Sequence, residues 1–278
     1  MRHIKQGMTE MHLEAMFKAW TAYHAGCRHM SYTCICGSGT NGAILHYGHA
    51  GRPNDRILEH GDMVVLDMGA EYAGYATDLT RSYPVSGKFT EDQVAIFNAV
   101  REAQEAVFAS MKPGACWVEL HRLSERVILS HLLKIGVVHN GTVEEMMAVN
   151  LGSVFMPHGL GHLVGLHVHD VGGYPDGTER PVDPGPCWLR SARPLKAGMV
   201  ITVEPGCYFI QGWLDIALGN PSHAQYLNLS VLERFKDFGG VRLEDDVLVV
   251  ATGIENFTVL PSTVEEIEAV VQSGVERK

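Results

Sequence analysis

Apolar residues recur at three- and four-residue spacing in several stretches of the chain, which is the pattern of amphipathic helices. Capping boxes, in which Thr or Ser stands three residues before Gln or Glu, mark where some of these stretches begin. Glycine and proline mark where they end. The predicted helices cover residues 9–26, 90–113 and 117–136, with further helices capped by the pairs Thr142 and Glu145, and Ser262 and Glu265.

Short β-rich runs alternate with glycine-rich turns in two other regions, and these runs predict strands. The predicted strands are residues 44–47, 63–68 and 75–83 in the first region, and 199–204 and 241–250 in the second. Strands, then helices, then strands again are typical of an α+β fold with one shared core. We therefore expect residues 1–278 to form a single α+β domain.

Two segments in the strand regions share one pattern and align without gaps. Residues 61–69 (GDMVVLDMG) and 198–206 (GMVITVEPG) each have a glycine, an apolar strand, an acid, and a second glycine two residues later. The acids are Asp67 and Glu204. A duplicated half-domain whose copies share a central site would produce this pattern.

Acidic residues in buried positions are the first candidates for chemistry. Asp67 and Glu204 each end an apolar run, where an ionised carboxylate is costly to bury unless a cation or strong donors compensate. A hairpin centred near residues 72–73 would set Asp78 opposite Asp67, and two close carboxylates repel unless they share a proton or a metal. Glu244 completes a set of four acids, although its strand position beside an arginine also fits a simple ion pair.

Histidines are the second group of candidates. Residues 156–162 (MPHGLGH) place His158 and His162 in a glycine-rich loop, and the glutamate of the His-Glu-x-x-His zinc motif is absent. A glycine-rich loop allows close backbone approach, so a functional role for His162 stands beside a structural one. His46 and His169 are further imidazoles with weaker individual signals.

Composition narrows the classes of function. The formal net charge is −10 and we find no stripe of Lys and Arg, which argues against a nucleic-acid partner. The six cysteines include no Cys-x-x-Cys pair, which favours a reduced cytoplasmic setting. No apolar run approaches the roughly 20 residues of a membrane helix, so we expect no membrane association.

The sequence resembles the catalytic domain of the pita-bread metallopeptidases, most closely the Xaa-Pro dipeptidases, or prolidases. The resemblance spans the whole chain and is strongest in SYTCICGSG, LHYGHAG, GDMVVLDMG, FMPHGLGHLVGLHVHDVGGYP, ITVEPGCYF and GGVRLEDD. It implies a pita-bread fold whose two halves are related by a pseudo-twofold axis. It also implies two divalent metal ions held by Asp67, Asp78, His162, Glu204 and Glu244, with Asp78 and Glu244 bridging the two ions.

The resemblance further implies roles in the hydrolysis of dipeptides that end in proline. Glu204 would transfer a proton, while His46 and His169 would donate hydrogen bonds to the substrate or the tetrahedral intermediate. The implied substrate-binding residues are Arg190, which suits the carboxylate of a dipeptide, together with Tyr32 and Arg242. Four carboxylates and one imidazole form a hard ligand shell that suits Mn(II) and tolerates Co(II) or Zn(II).

Relatives of this kind carry an N-terminal domain before the matching region, and we expect that domain to be absent from this chain. The homodimer usual for the family then becomes an open question. Residues 211–236 lengthen the second half, as a lid or an assembly surface. Two alternative functions stay open, namely an aminopeptidase P or methionine aminopeptidase of the same fold, and a non-catalytic pita-bread module that binds peptides or proteins.

Overall fold

A computed structural model describes residues 1–48 and 54–275. Its helices are α1 (Glu10–Ala25), α2 (Glu91–Ser110), α3 (Trp117–Lys134), α4 (Val143–Ala148), α5 (Gly152–Phe155), α6 (Gln211–Gly219), α7 (Pro221–Ala224), α8 (Leu229–Leu232) and α9 (Val264–Val275). Short 3-10 helices lie at Gly39–Ala43, Pro186–Trp188 and Glu233–Phe235. The strands are β1 (His29–Met30), β2 (Ile35–Ser38), β3 (Met63–Asp67), β4 (Ala70–Glu71), β5 (Thr80–Pro84), β6 (Val200–Val203), β7 (Gly206–Tyr208), β8 (Gly240–Arg242), β9 (Asp245–Val250) and β10 (Gly253–Asn256).

Two antiparallel sheets of three strands form the two halves that the repeated segments predict. Strand β3 lies between β2 and β5 in one sheet, and β9 lies between β6 and β10 in the other. Asp67 at the end of β3 pairs with Thr80, and Val203 at the end of β6 pairs with Asp245. In both halves, therefore, the acids lie where one strand ends and its partner begins.

The two halves meet along a seam formed by β5 and the residues around β8. Thr80 and Glu244 form a bridge across this seam, with backbone hydrogen bonds in both directions of 3.3 and 3.1 Å. Ser82 extends it, because its hydroxyl donates to the Arg242 carbonyl at 2.9 Å and accepts from the Arg242 amide at 3.0 Å. The strand-end acids of both halves are thereby brought to one place.

The paired helices α2 and α3 support the acid-bearing ends of the sheets. Helix α2 begins with the predicted capping box, in which Thr90 and Gln93 exchange hydrogen bonds. From α2, Gln104 donates to the carbonyl of Val203 at 2.9 Å, just before Glu204. From α3, Trp117 donates its indole N–H to the carbonyl of Gly161 at 3.3 Å, just before His162. Two buried side chains thus anchor two predicted ligand positions.

The hairpin after Asp67 is confirmed, with a shifted register. Tyr72 and Tyr75 exchange backbone hydrogen bonds of 2.9 Å around Ala73 and Gly74, whose positive φ angles of 51° and 84° fit a type I′ turn. Because Asp67 pairs with Thr80, Asp78 lies diagonally across from Asp67 rather than directly opposite. Residues two apart on a strand share a face, so the two acids still lie on the same side.

Several predicted elements differ from the structure. Residues 44–47 are turns and not a strand, because this apolar run lacks a period and follows the 3-10 helix Gly39–Ala43, where the Asn41 amide donates to the Tyr47 hydroxyl. The strand at 75–83 is limited to β5, and 241–250 is interrupted between β8 and β9. The last helix is capped by Thr263 and Glu266, one residue later than predicted.

The predicted core helices are present within one or two turns of their expected ends. Among residues 1–48 and 54–275, no helix is both long and apolar enough to cross a lipid bilayer. The end of the LHYGHAG motif, at residues 49–51, lies outside the described residues.

Candidate metal centre

A cavity of about 370 Å³ lies at the seam, and all five predicted metal ligands line it. Asp67 ends β3, Glu204 follows β6, and Glu244 lies between β8 and β9. The other two residues stand on connecting loops. The structure therefore brings together side chains from five separate motifs: Asp67, Asp78, His162, Glu204 and Glu244.

Short distances connect these side chains. His162 Nε2 lies 3.3 Å from Asp78 Oδ2 and 3.4 Å from Glu204 Oε1. One ligand atom from each of Asp78, His162 and Glu244 falls within 4.8 Å of the others. The Tyr32 hydroxyl contacts Asp67 at 2.5 Å and Asp78 at 2.6 Å, although it has a single proton to donate. The centre has more acceptors than donors, which is the arrangement that a cation stabilises.

Burial makes the ionised acids unfavourable when no metal compensates them. Desolvation, followed by the nearby Asp67 charge, raises the pKa of Asp78 well above its ordinary value. Desolvation, followed by the Asp78 charge, does the same to the pKa of Glu244. For Glu204, burial raises the pKa to about 7, although His162 opposes the shift. A divalent ion bound here would favour the ionised form of these carboxyl groups and so lower their pKa.

The hydrogen bonds of His162 define which ring nitrogen faces the acids. Its Nδ1 lies 3.1 Å from the Leu163 carbonyl, which can only accept, so Nδ1 carries the proton. Nε2 then presents its lone pair to the cavity, as a metal-binding imidazole requires. The backbone amide of His162 donates to Thr202 Oγ1 at 3.0 Å, and Thr202 Oγ1 donates to Glu204 at 3.2 Å.

Gly161 is required beside His162 by a close backbone approach. A Cβ at this position would lie 2.1 Å from the carbonyl oxygen of Thr202. Any side chain would therefore push the histidine loop away from β6. This close approach explains why a glycine precedes His162 in the loop.

Arg242 organises one side of the centre from a buried position. Its guanidinium donates to Asp67 Oδ2 at 2.6 Å, to Thr80 Oγ1 at 3.2 Å and to Tyr208 Oη at 2.8 Å. The Tyr208 hydroxyl in turn lies 3.1 Å from Nε2 of His158. Burial, followed by the charge of Arg242, lowers the pKa of His158 to about 3, so this imidazole is neutral and accepts from Tyr208.

The other predicted site residues lie in two environments. His46, His169 and Arg190 are exposed and line the same cavity as the acids. The ring of His169 packs edge-on against the ring of His162, with centroids 4.4 Å apart. Tyr32 and Arg242, predicted to bind substrate, both contact Asp67, and Arg242 also lines the cavity.

Sequence reasoning missed several residues that line or support the cavity. His158, Trp188 and Trp213 line it, Thr80 donates to Glu244, and Tyr208 accepts from Arg242. His158 shares a motif with His162, and Trp213 lies in the 211–236 segment, so both had a local signal. Thr80 had none, because its hydrogen bonds with Glu244 and Arg242 cross the seam. Tyr208 lies in the ITVEPGCYF segment, and its contacts with His158 and Arg242 stay within the second half.

The donor set fits divalent metal ions on its own chemistry. Four carboxylates, three of them buried and Glu204 half-buried, supply hard oxygen ligands, and one imidazole supplies a nitrogen. Oxygen ligands suit Mn(II) in particular. The Asp246 side chain supports this shell by accepting from the backbone amide of Asp78 at 3.0 Å. Ligating carboxylates and their surroundings are generally held by hydrogen bonds of this kind.

Comparisons with known proteins match nearly the whole chain. The model of metallopeptidase family M24 matches residues 1–251. Human Xaa-Pro dipeptidase is 54% identical over 97% of this chain and 54% of its own length, and a probable Xaa-Pro aminopeptidase of Tuber melanosporum is 40% identical over 96% and 57%. A variant of Escherichia coli aminopeptidase P in complex with substrate aligns with a TM-score of 0.82 and 36% identity, over 99% of this chain and 55% of that one.

These matches confirm the pita-bread fold expected from the motifs. The chain spans about half the length of the curated relatives it matches.

Proposed function

Because this chain belongs to metallopeptidase family M24, we propose that it is an Xaa-Pro dipeptidase, which hydrolyses dipeptides with a C-terminal proline. One observation carries the proposal: five separate motifs place their acids and histidine in a single cavity that Arg190 also lines. The name of the human relative, 54% identical, supports the same activity. Aminopeptidase P is the second candidate, since solved structures of that enzyme share the fold at a TM-score of 0.82.

We assign the metal ligands as Asp67, Asp78, His162, Glu204 and Glu244, holding two divalent ions. Mn(II) is the proposed native metal, with Co(II) or Zn(II) as substitutes, because the shell is rich in hard oxygen donors. When bound, the ions supply Lewis-acid polarisation of the scissile carbonyl and lower the pKa of water.

Glu204 is the proposed proton-transfer residue. Its carboxylate lines the cavity beside the other ligands, with Oε1 3.4 Å from His162 Nε2, so it lies within reach of a water held at this centre. Glu204 accepts the proton of the attacking water and passes it to the leaving nitrogen. His46 and His169 line the same cavity and donate hydrogen bonds to the oxygen that gains charge.

Arg190 is the proposed specificity residue. It is exposed in the cavity wall, and a guanidinium forms two parallel hydrogen bonds with a carboxylate. Binding the C-terminal carboxylate close to the metals favours dipeptides over longer peptides. Tyr32 and Arg242 are the other proposed substrate-binding residues, and both also contact Asp67.

We also propose that the enzyme is cytoplasmic. All six cysteines are free thiols, which fits a reducing cytoplasm.

The test combines metal analysis with peptide hydrolysis. After loading with Mn(II), the wild type should bind two ions and cleave Gly-Pro faster than a longer Xaa-Pro peptide or a Met-led peptide. Asp67→Asn should lose both metal and activity. Asp92→Asn is the matched control, because Asp92, at the start of α2, forms an exposed ion pair with Arg234.

A well-folded wild type with two ions and no activity on Gly-Pro would exclude the dipeptidase. Preference for the longer Xaa-Pro peptide would support aminopeptidase P instead. Equal activity of Asp67→Asn and wild type would exclude the metal assignment.

A further inference from the structure

Leu189 lies between two residues of the cavity wall and is held from several sides. Its side chain is fully buried and packs in the same hydrophobic cluster as Leu160. Its carbonyl oxygen accepts two hydrogen bonds, from the Tyr174 hydroxyl at 2.8 Å and from Arg180 Nη1 at 2.7 Å. Two side-chain donors on one loop carbonyl restrain the backbone at this residue.

The histidine loop contacts Leu189 from the other side. A Cβ at Gly159 would lie 2.9 Å from the Cα of Leu189 and 3.1 Å from the carbonyl oxygen of Trp188. Gly159 stands beside His158, which lines the cavity. The position of Leu189 is therefore defined relative to the metal centre and not only within its own loop.

The neighbours of Leu189 point the other way. Trp188 and Arg190 line the cavity, and the Trp188 side chain is 55% exposed while Leu189 is 0% exposed. Leu189 follows directly on the 3-10 helix Pro186–Trp188 and is bonded to both neighbours, so restraining its backbone also restrains theirs. Any displacement of the Leu189 carbonyl would move the Arg190 side chain with it.

The two donors also restrain each other. The Arg180 guanidinium stacks over the Tyr174 ring, 4.3 Å from its centroid, and Nη1 of Arg180 also donates to the Cys187 carbonyl at 3.2 Å. Gly173, next to Tyr174, approaches so closely that a Cβ there would lie 2.0 Å from the carbonyl oxygen of Arg190. The loop is thus closed onto the backbone on both sides of Leu189.

We propose that Tyr174 and Arg180 are positioning residues. Their hydrogen bonds to the Leu189 carbonyl place the Arg190 side chain where it binds the carboxylate of a dipeptide. This inference rests on the proposed function and deepens it. These hydrogen bonds determine KM and the preference for dipeptides over tripeptides, and they do not affect the chemical step at the metal centre. Neither residue lines the metal cavity.

The test uses the full chain with bound Mn(II) and the double variant Tyr174→Phe with Arg180→Met. Both changes keep much of the side-chain volume and remove the two donors. We expect KM for Gly-Pro to rise about tenfold, because the two hydrogen bonds to the Leu189 carbonyl and the one to the Cys187 carbonyl are lost. The rate constant kcat should stay within about twofold, and the ratio of Gly-Pro to Gly-Pro-Gly hydrolysis should fall. The single variant Arg180→Lys keeps a donor at this position, so its KM should lie between those of the wild type and the double variant.

A matched control comes from the same loop. Asp183 is 64% exposed in its side chain and pairs with Arg122 at 3.3 Å, without touching Leu189. Exposed ion pairs contribute little, so Asp183→Asn should leave KM unchanged. Hydrogen exchange gives an independent measure: the amides of residues 187–190 should exchange faster in the double variant, while those of β6 keep the wild-type rate.

An unchanged KM in the double variant would overturn the proposal, whatever the exchange rates. A fall in kcat accompanied by loss of bound manganese would also overturn it, because the effect would then lie on the metal ligands. An inactive wild type would exclude the proposed function instead, and with it the role in substrate binding. Hydrogen exchange in residues 187–190 would still show whether Tyr174 and Arg180 restrain the backbone at Leu189.

Discussion

Thr80 and Glu244 are joined three times across the seam: by two backbone hydrogen bonds and by the Thr80 hydroxyl, which donates to Glu244 Oε2 at 2.5 Å. One residue of the first half thus orients a carboxylate of the second. The same hydroxyl accepts from Nε of Arg242, which fixes its direction of donation. The contacts that join the two halves therefore also orient a proposed metal ligand.

Thr80→Val tests this relationship. Valine has the shape of threonine without the donor, so Glu244 should lose its orientation while the fold is kept. Residues that orient a ligand typically change metal affinity by about 10–100-fold, and we expect a loss of that size in a calorimetric Mn(II) titration. Thr21→Val is the control, since Thr21 is also buried but bonds to the Phe17 carbonyl within α1. Equal affinities for the Thr80 variant and wild type would contradict the assignment.

Glu244→Gln should make the metal-free protein more stable. Glu244 is 1% exposed, and the charge of nearby Asp78 adds to the cost of ionising it. A neutral amide removes that repulsion but also removes a ligand. In chelator, Tm of the variant should therefore exceed that of wild type, while added Mn(II) should raise the wild-type Tm more. The idea fails if the variant is less stable in chelator and responds equally to the metal.

Stability of the metal-free protein should fall as pH rises, with Glu204 as one cause. Its pKa is about 7 in the folded chain against an ordinary 4.5, so between these values the folded state holds a proton that the unfolded state has released. The free energy of unfolding then decreases with pH, and the penalty is absent below about pH 4.5 and complete above about pH 7.

Urea unfolding of wild type and Glu204→Gln in chelator, at about pH 5 and about pH 8, measures this effect. Wild type should lose more stability than the variant between the two conditions. Equal losses would show that Glu204 does not hold the extra proton.

The strand-end acids could be predicted from the sequence because their signal is local. An apolar run that ends in a carboxylate, as at Asp67 and Glu204, has few explanations other than a compensated buried charge. The bond between Thr80 and Glu244 had no such signal, since its partners are far apart in the chain. The strand predicted at residues 44–47 was wrong, because this short apolar run has no strand period and only Tyr47 within it is buried.

Gly161→Ala should damage the centre by steric overlap. The new methyl group would meet the Thr202 carbonyl oxygen at 2.1 Å, so the histidine loop must move away from β6. We expect a loss of about 1–3 kcal/mol in the free energy of unfolding, together with weaker Mn(II) binding. Gly212→Ala, where a Cβ meets nothing within 4 Å inside α6, should be neutral or slightly stabilising. A tolerated Gly161→Ala would show that the loop is not held as closely as described.

The joint between Thr80 and Glu244 also bears on how the chain folds. The two residues are 164 positions apart, and contacts of such separation form late because closing the intervening loop opposes chain entropy. The hairpin of β3 and β5 and the helix pair α2 and α3 are local by comparison and can form first. During refolding, manganese affinity should therefore appear only after the two halves have joined, and later than the hairpin and the helix pair.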